Sequence, residues 1–293
     1  MKPTFEQDPS AESNDFADEA PASPQETRED FLSRTGSAYA KIRHTLIQIP
    51  TNRGSTPSML PHFNRNHRAL VLYLALLANR PWLDKEPEPL HAGAWVRFLT
   101  CDDPKGLTWT TQSLSHAWGV LDDLQLISRP RKGRLVDVQP RREDGTGDYE
   151  RPIGASNDPY FLLPHDFWLR QLHGTLSWPG LAVLLILLKE SGKTGVAELP
   201  VDRAHDWYGI SRTTTEAGLT ELRELGYVES RGRFVKDAKA PQGRRYTSIH
   251  TLRDVFSLES RTTLRTAARE RVKTARRGKG DEDGEAEPEG TSA

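Results

Sequence analysis

The sequence predicts a mainly α-helical protein with small β hairpins, an α+β chain built as two bodies in tandem between acidic tails. Three observations carry this expectation. Two strongly apolar runs of helical length, RALVLYLALLA at 68–78 and LAVLLILLK at 181–189, each supply the centre of a core. Each is followed by a helix with a matched apolar tail: Leu121, Leu124, Leu126 and Ile127 in the first, Leu222, Leu225, Tyr227 and Val228 in the second, all four pairs offset by 101 positions. Each of those helices then leads into a basic, turn-punctuated stretch. A repeated order of elements, with the tail of the last helix matched at one offset, is the mark of an internal duplication.

In chain order, residues 1–36 are acidic, carry Pro3, Pro9, Pro21 and Pro24, and are poor in large apolar side chains. Such a segment cannot offset its ordering entropy, so disorder is expected. The first body is expected over 40–138, opening with the extended piece HTLIQIP at 44–50. Residues 139–158 (QPRREDGTGDYERPIGASND) are polar and punctuated by Gly and Pro, which predicts a linker. The second body, 159–256, opens with PYFLLP at 159–164, another extended piece ended by proline. Residues 257–279 carry eight basic residues and predict either a basic helix or a basic tail. Residues 280–293 are expected to be a second disordered acidic tail.

Placed along the chain, the charge is uneven. Residues 1–30 hold two basic and nine acidic residues, and 281–293 hold six acidic residues and no basic ones. The whole chain has a net charge of −1, so 31–280 carries +12. A basic body attracts polyanions, because neutralised phosphates release condensed counterions. The single cysteine, Cys101, excludes a disulfide framework or a four-thiolate metal site within one chain. The longest apolar run, 181–188, is too short to span a bilayer, and no basic-then-apolar leader opens the chain. A reduced, cytoplasmic protein without membrane, metal or cofactor is expected.

The stretch 201–252 is the most informative. VDRAHDWY at 201–208 has helical spacing, and Gly209 suits the positive φ just past a helix end. Ile210 is a single apolar plug, and Ser211 is an N-cap for a second helix that runs to about Leu225, with Leu219, Leu222 and Leu225 on one stripe. Gly226 ends that helix. YVESRGR at 227–233 alternates like a strand, FVKDAKAPQG at 234–243 reads as a basic loop, and RRYTSIHTL at 244–252 as a second strand.

Helix, glycine turn, helix and basic hairpin resemble the winged helix-turn-helix superfamily. The residues that carry the resemblance are Gly209-Ile210-Ser211-Arg212-Thr213-Thr214, then Leu222, then Leu225-Gly226-Tyr227-Val228, within about 178–252. The resemblance implies two winged-helix domains in tandem, mainly α with small β wings, and double-stranded DNA as partner. The start of the second helix would enter the major groove. Ser211, Arg212, Thr213, Thr214, Thr215 and Glu216 are the candidate contacts there. Arg212, Thr213, Glu216 and Ala217 would point outward, with Thr214 and Thr215 nearer the body. Arg212 is the candidate for a guanine contact. Arg231, Arg233, Lys236, Lys239, Arg244 and Arg245 would meet phosphates from the wing, which positions but does not specify.

The first body matches less closely. Trp109-Thr110-Thr111-Gln112-Ser113 takes the place of Ile210–Thr214, so Thr110, Thr111 and Gln112 are candidates. Its wing would be SRPRKGRLVDV at 128–138, with Arg129, Arg131, Lys132 and Arg134. Residues 92–104 are longer and less regular than their counterpart, and a degenerate winged helix used to form a homodimer is the alternative.

Other motifs do not hold up. Gly192-Lys193-Thr194 mimics the end of a phosphate loop, but the first glycine would fall at Leu187 within an apolar run. His250-x-x-Arg253 resembles a recombinase motif, but no tyrosine follows Tyr246. His165 and His173 lack a ligand partner at metal spacing. Asp102-Asp103 and Asp122-Asp123 are adjacent, and such side chains do not face each other on a helix. The seven tryptophans sit in or beside apolar patterns, and most of them read as core. The expectation is therefore a non-enzymatic, sequence-specific DNA-binding protein, most simply a transcriptional regulator, the alternative being a replication initiator of a plasmid or mobile element.

Overall fold

The computed structural model describes residues 20–52, 54–132 and 135–282, with side chains as far as 274. The chain is mixed α and β with small antiparallel sheets, as an α+β reading requires. In order the elements are α1 (Pro24–Arg34), β1 (Tyr39–Arg43), β2 (Gln48–Thr51), β3 (Gly54–Pro57), α2 (His67–Leu83), α3 (Ala92–Leu99) and α4 (Thr111–Asp123). Four short strands follow: β4 (Ile127–Ser128), β5 (Arg131–Lys132), β6 (Leu135–Val136) and β7 (Gln139–Pro140). Then come β8 (Tyr160–Pro164), α5 (Asp166–Leu169), α6 (Leu172–Thr175), α7 (Trp178–Ser191), β9 (Val196–Glu198), α8 (Ala204–Tyr208), α9 (Arg212–Glu224), β10 (Val228–Lys236), β11 (Arg244–Leu252) and α10 (Leu258–Glu282).

α2 and α7 are apolar on nearly every side, and a helix of that kind must lie inside. Leu70 to Leu76 and Leu181 to Leu188 are accordingly buried without a break. Around α7 the order is helix, strand, helix, helix, then a hairpin, with sheet order β10-β11-β9. β9 pairs with β11 at Ile249↔Glu198, His250↔Ala197 and Thr251↔Val196. This third strand ties the base of the hairpin to the core. α9 lies close against α7, because Gly218 leaves room for the Pro179 carbonyl. A Cβ at Gly218 would stand 2.3 Å from that oxygen. Glu221 of α9 also accepts from the Ser177 amide, at 2.8 Å, at the start of α7. A carboxylate there complements the positive end of the helix.

The two bodies are not beads on a string. β1 and β8 pair antiparallel, with Lys41 opposite Leu162 at the centre. These strands open the two bodies, so their pairing joins the bodies at their starts. The segment after each opening strand then covers the helix-connecting turn of the other body. After β1, Gln48 donates to the Trp207 carbonyl at 2.6 Å, and Pro57 and Pro61 lie against Gly209. After β8, the Gly174 carbonyl accepts from the Leu107 amide at 3.0 Å, and the Gln171 side chain accepts from the Asp102 amide at 2.6 Å. One contiguous apolar core results.

This join corrects the expected layout. Residues 24–34, expected to be disordered, form a helix with a Ser23/Glu26 capping box. Phe31 and Leu32 bury themselves, Phe31 stacking near Phe98 at 5.6 Å and Trp82 at 5.1 Å. The net acidity of 1–36 concealed this short apolar pair. Arg28, fully buried, donates to the Thr100 carbonyl at 2.5 Å and pairs with Asp102. Residues 139–158 are not a free linker. Glu143, fully buried, pairs with Arg43 at 2.8 Å, and Arg43 also reaches Asp158 at 2.7 Å. A buried charge must be paired, so these contacts fix the segment against β1. The true counterpart of β8 is β1 and not 44–50, which forms a 3-10 turn followed by β2. Polar Lys41 and Arg43 within β1 masked it. Residues 1–19 and 283–293, the rest of the two acidic tails, lie outside the described residues.

Candidate nucleic-acid interface

The glycine turn and helix cap form as the residues require. Gly209 has φ +69°, Ile210 is buried, and the Ser211 hydroxyl accepts from the Thr214 amide at 3.0 Å. On α9 Arg212, Thr213, Glu216 and Ala217, the residues expected to point outward, are exposed, as are Thr220, Arg223 and Glu224. Thr214 is half-buried. Thr215 is fully buried and its hydroxyl donates to the Ser211 carbonyl at 3.0 Å, so it packs the helix and is no contact residue. Arg212 is bridged to Asp202 and Glu216, both at 2.9 Å. Those two carboxylates hold the guanidinium above its ordinary pKa and pre-orient it at the helix start. Leu225, expected on the buried stripe, is half-exposed past the last turn, and Leu219 and Leu222 alone face the core.

The hairpin is longer than the sequence pattern suggests. β10 runs on to Lys236, because Phe234 and Val235 find partners in Tyr246 and Arg245 across the ladder. The basic loop shrinks to 237–243. The six wing cations divide into two sets. Arg231 pairs with Glu229 at 2.5 Å, Arg233 with Glu198 at 2.7 Å, and Arg245 lies near Glu198 and Asp237 at 3.9 and 3.7 Å. Lys236, Lys239 and Arg244, around the far end, have no carboxylate partner among the described residues. The wing cations without a carboxylate partner among the described residues thus lie towards its tip.

Of residues 257–279, all but Ser257 belong to a helix. α10 is anchored at its start by Arg261, fully buried, which donates to the Ser191 hydroxyl at 2.9 Å. Burial pushes this guanidinium down to about 10. Beyond Arg265 the side chains as far as 274 are almost all exposed. Arg269, Arg271 and Lys273 are thus exposed on α10.

The first body shapes the same parts differently. Thr110 caps α4, its hydroxyl accepting from the Ser113 amide at 3.1 Å, and Thr111 and Gln112 are exposed after it. Arg129, Arg131 and Lys132 are exposed, but β5 pairs with β6 over two residues only. Lys132 folds back to donate to the Pro87 carbonyl at 2.5 Å. Arg134 lies outside the described residues. Between this hairpin, α4 and the 84–92 segment is a cavity of about 540 Å³, floored by Trp95, Trp118 and Leu114.

Sequence reasoning missed a buried pair. Cys101 Sγ lies 3.6 Å from His173 Nε2. Burial pushes the thiol up and the imidazole down to about 3, so both are neutral at pH 7. An activated cysteine needs the opposite shifts. His250, of the rejected recombinase motif, is buried and contacts the Ser230 hydroxyl at 2.9 Å. His165 is likewise buried, and six of the seven tryptophans are core residues, with Trp207 half-buried. Among the described residues no helix is long and apolar enough to cross a membrane, and no three His, Cys, Asp or Glu side chains cluster at metal-binding distance. Scans of the chain against protein-family models, curated proteins and solved structures gave no match.

Proposed function

We propose that this protein binds double-stranded DNA in a sequence-specific way, through a winged helix-turn-helix unit over 178–252, and acts by occupancy without catalysing a reaction. The observation that carries the reading is the exposed, hydroxyl-capped start of α9 beside a projecting hairpin with unneutralised cations at its tip. Arg212 and Thr213 would meet base edges in the major groove, and Lys236, Lys239 and Arg244 would meet phosphates. Regulation of transcription by operator binding is the simplest role for such a protein. The reciprocal fusion of two like-built bodies favours a second role, initiation of replication at repeated sites. Footprinting on DNA flanking the protein's own gene separates them: one palindrome selects the regulator, an array of repeats the initiator.

The test of DNA binding itself is Arg212→Ala, titrated on a selected duplex and on a scrambled one. Specific affinity should fall by ~1–3 kcal/mol while binding to the scrambled duplex stays nearly unchanged. Equal loss on both would make Arg212 a phosphate contact. If neither changed, α9 would not be the reading helix.

A further inference from the structure

The far end of the β10–β11 hairpin carries a feature that a phosphate-binding wing does not need. Phe234 and Tyr246 are directly opposite in the ladder and are 59% and 63% exposed. They are among the most exposed large apolar side chains described. Alternation along the strands places them on one sheet face with Val228, Ser230, Gly232, Ser248, His250 and Leu252. At the base of the hairpin that face is buried, with Val228, His250 and Leu252 against the core. At the tip the core has ended and the same face is open.

The rings are held in place. Their centroids are 5.4 Å apart, edge to face. Tyr246 lies across Gly232, where a Cβ would meet its hydroxyl at 1.5 Å, so only glycine admits this ring position. On the other side, the Arg244 guanidinium stands 4.5 Å from the Phe234 centroid. Tyr246 over Gly232, then Phe234, then Arg244 therefore follow one another along one open face. Lys236 shares that face, and among the described residues neither it nor Arg244 has a carboxylate partner. Stacking surfaces interleaved with unpaired cations are what a single strand of nucleic acid requires, because every base has a π-face and every nucleotide a phosphate. Paired bases inside a duplex offer no free face.

We propose that the tip of the hairpin binds unpaired nucleobases, so that the protein holds single-stranded DNA on Phe234 and Tyr246 in addition to the duplex. The proposal rests on the DNA-binding reading above and deepens it. A protein with both sites would hold a duplex through α9 and keep an opened strand beside it.

The experiment compares three labelled probes: a homothymidine oligonucleotide, the same backbone with abasic sites, and a duplex. The wild type should bind the thymidine probe more tightly than the abasic one. Phe234→Leu with Tyr246→Leu should lower thymidine affinity by about 5- to 150-fold per stacked base and erase the difference from the abasic probe. Duplex affinity should change less than twofold. Both residues are exposed, so circular dichroism should be unchanged, and Tyr246→Phe, which keeps the ring, should retain binding. If the wild type binds duplex but does not distinguish thymidine from abasic backbone, this inference fails and the duplex reading stands. Equal losses on duplex and single strand would make the rings a wedge into paired DNA, and would also overturn it. If no probe is bound, the DNA-binding reading fails with it.

Discussion

The two bodies share a scaffold and differ where they meet solvent. α4 and α9 are both 13 residues long, both are capped by a hydroxyl, and both follow a buried plug, Trp109 or Ile210. Only three residues, 209–211, separate α8 from α9, whereas 11 separate α3 from α4. The second hairpin has nine-residue strands anchored by β9, while the first has two-residue strands and lies over a cavity. Core-facing positions tolerate little change, because interiors are close-packed. A hairpin that loses its third strand loses its support, and only a short one persists. On the proposed reading, the second body would contact DNA and the first would serve packing.

The largest expected effect tests whether the two bodies melt as one. His44 and His67 in the first body are pushed down to about 4 by burial, as are His165 and His250 in the second, with His173 at about 3. All lie below the unfolded value near 6.5, so the unfolded chain takes up protons first. Stability is full above about pH 6.5 and falls towards pH 4, by about 1.4 kcal/mol per histidine per pH unit. Urea midpoints between pH 7 and 5 should drop steeply in a single transition. Two separating transitions would break the fused-core picture.

A smaller effect separates the helix pairs. Gly218 sits where the first body, 101 positions earlier, has Ala117. Gly218→Ala would drive a Cβ into the Pro179 carbonyl and should cost about 1–3 kcal/mol by overpacking. Thermal melting would show it, and a neutral result would mean that α7 and α9 pack no closer than α2 and α4.

Salt titration on one duplex sharpens the assignment of the wings. Replacing Lys236, Lys239 and Arg244 together by Gln should flatten the slope of log K against log salt by about 2–3 units, near 0.9 per lost contact. The matching change of Arg131, Lys132 and Arg134 to Gln should flatten it by less than about one contact's worth. Equal flattening would make both wings working ones.

The smallest expected effect concerns the helix ends. Gly226 has φ +77° after α9, and Gln125, its counterpart after α4, has φ +56°. A side chain is strained there, so Gln125→Gly should raise stability by about 0.5–1 kcal/mol. A fall in melting temperature would show that the Gln125 side chain does more than occupy the turn.

Much of the second body could be read from its residues. Ser211, Gly209, Ile210 and the strand at 244–252 act locally, and local signals survive in a sequence. The extension of β10 did not, because Phe234 reads as loop until Tyr246 is placed opposite it. The burial of Thr215 and the exposure of Leu225 likewise depend on where α9 ends and on what covers it. In the first body, the place of Thr110–Ser113 was legible from the second body's pattern, and the structure shows Thr110 to be a cap. The fold-back of Lys132 was not, since Pro87 is distant in sequence.

The sequence by itself determined the two apolar helices, the capped helix at 212–224 with its glycine turn, and the basic charge between acidic ends, all of them short-range or additive properties of the residues. Only the tertiary structure decided that the two bodies are one. β1 pairs with β8 across more than a hundred residues, and each body's turn is covered by the other. It also decided that 139–158 is fixed by the buried pairing of Glu143 with Arg43, and that Phe31 draws an acidic segment onto the core. The physical reason is common to all three. Pairing and burial are properties of what a residue meets, and no periodicity along the chain records which distant partner that will be.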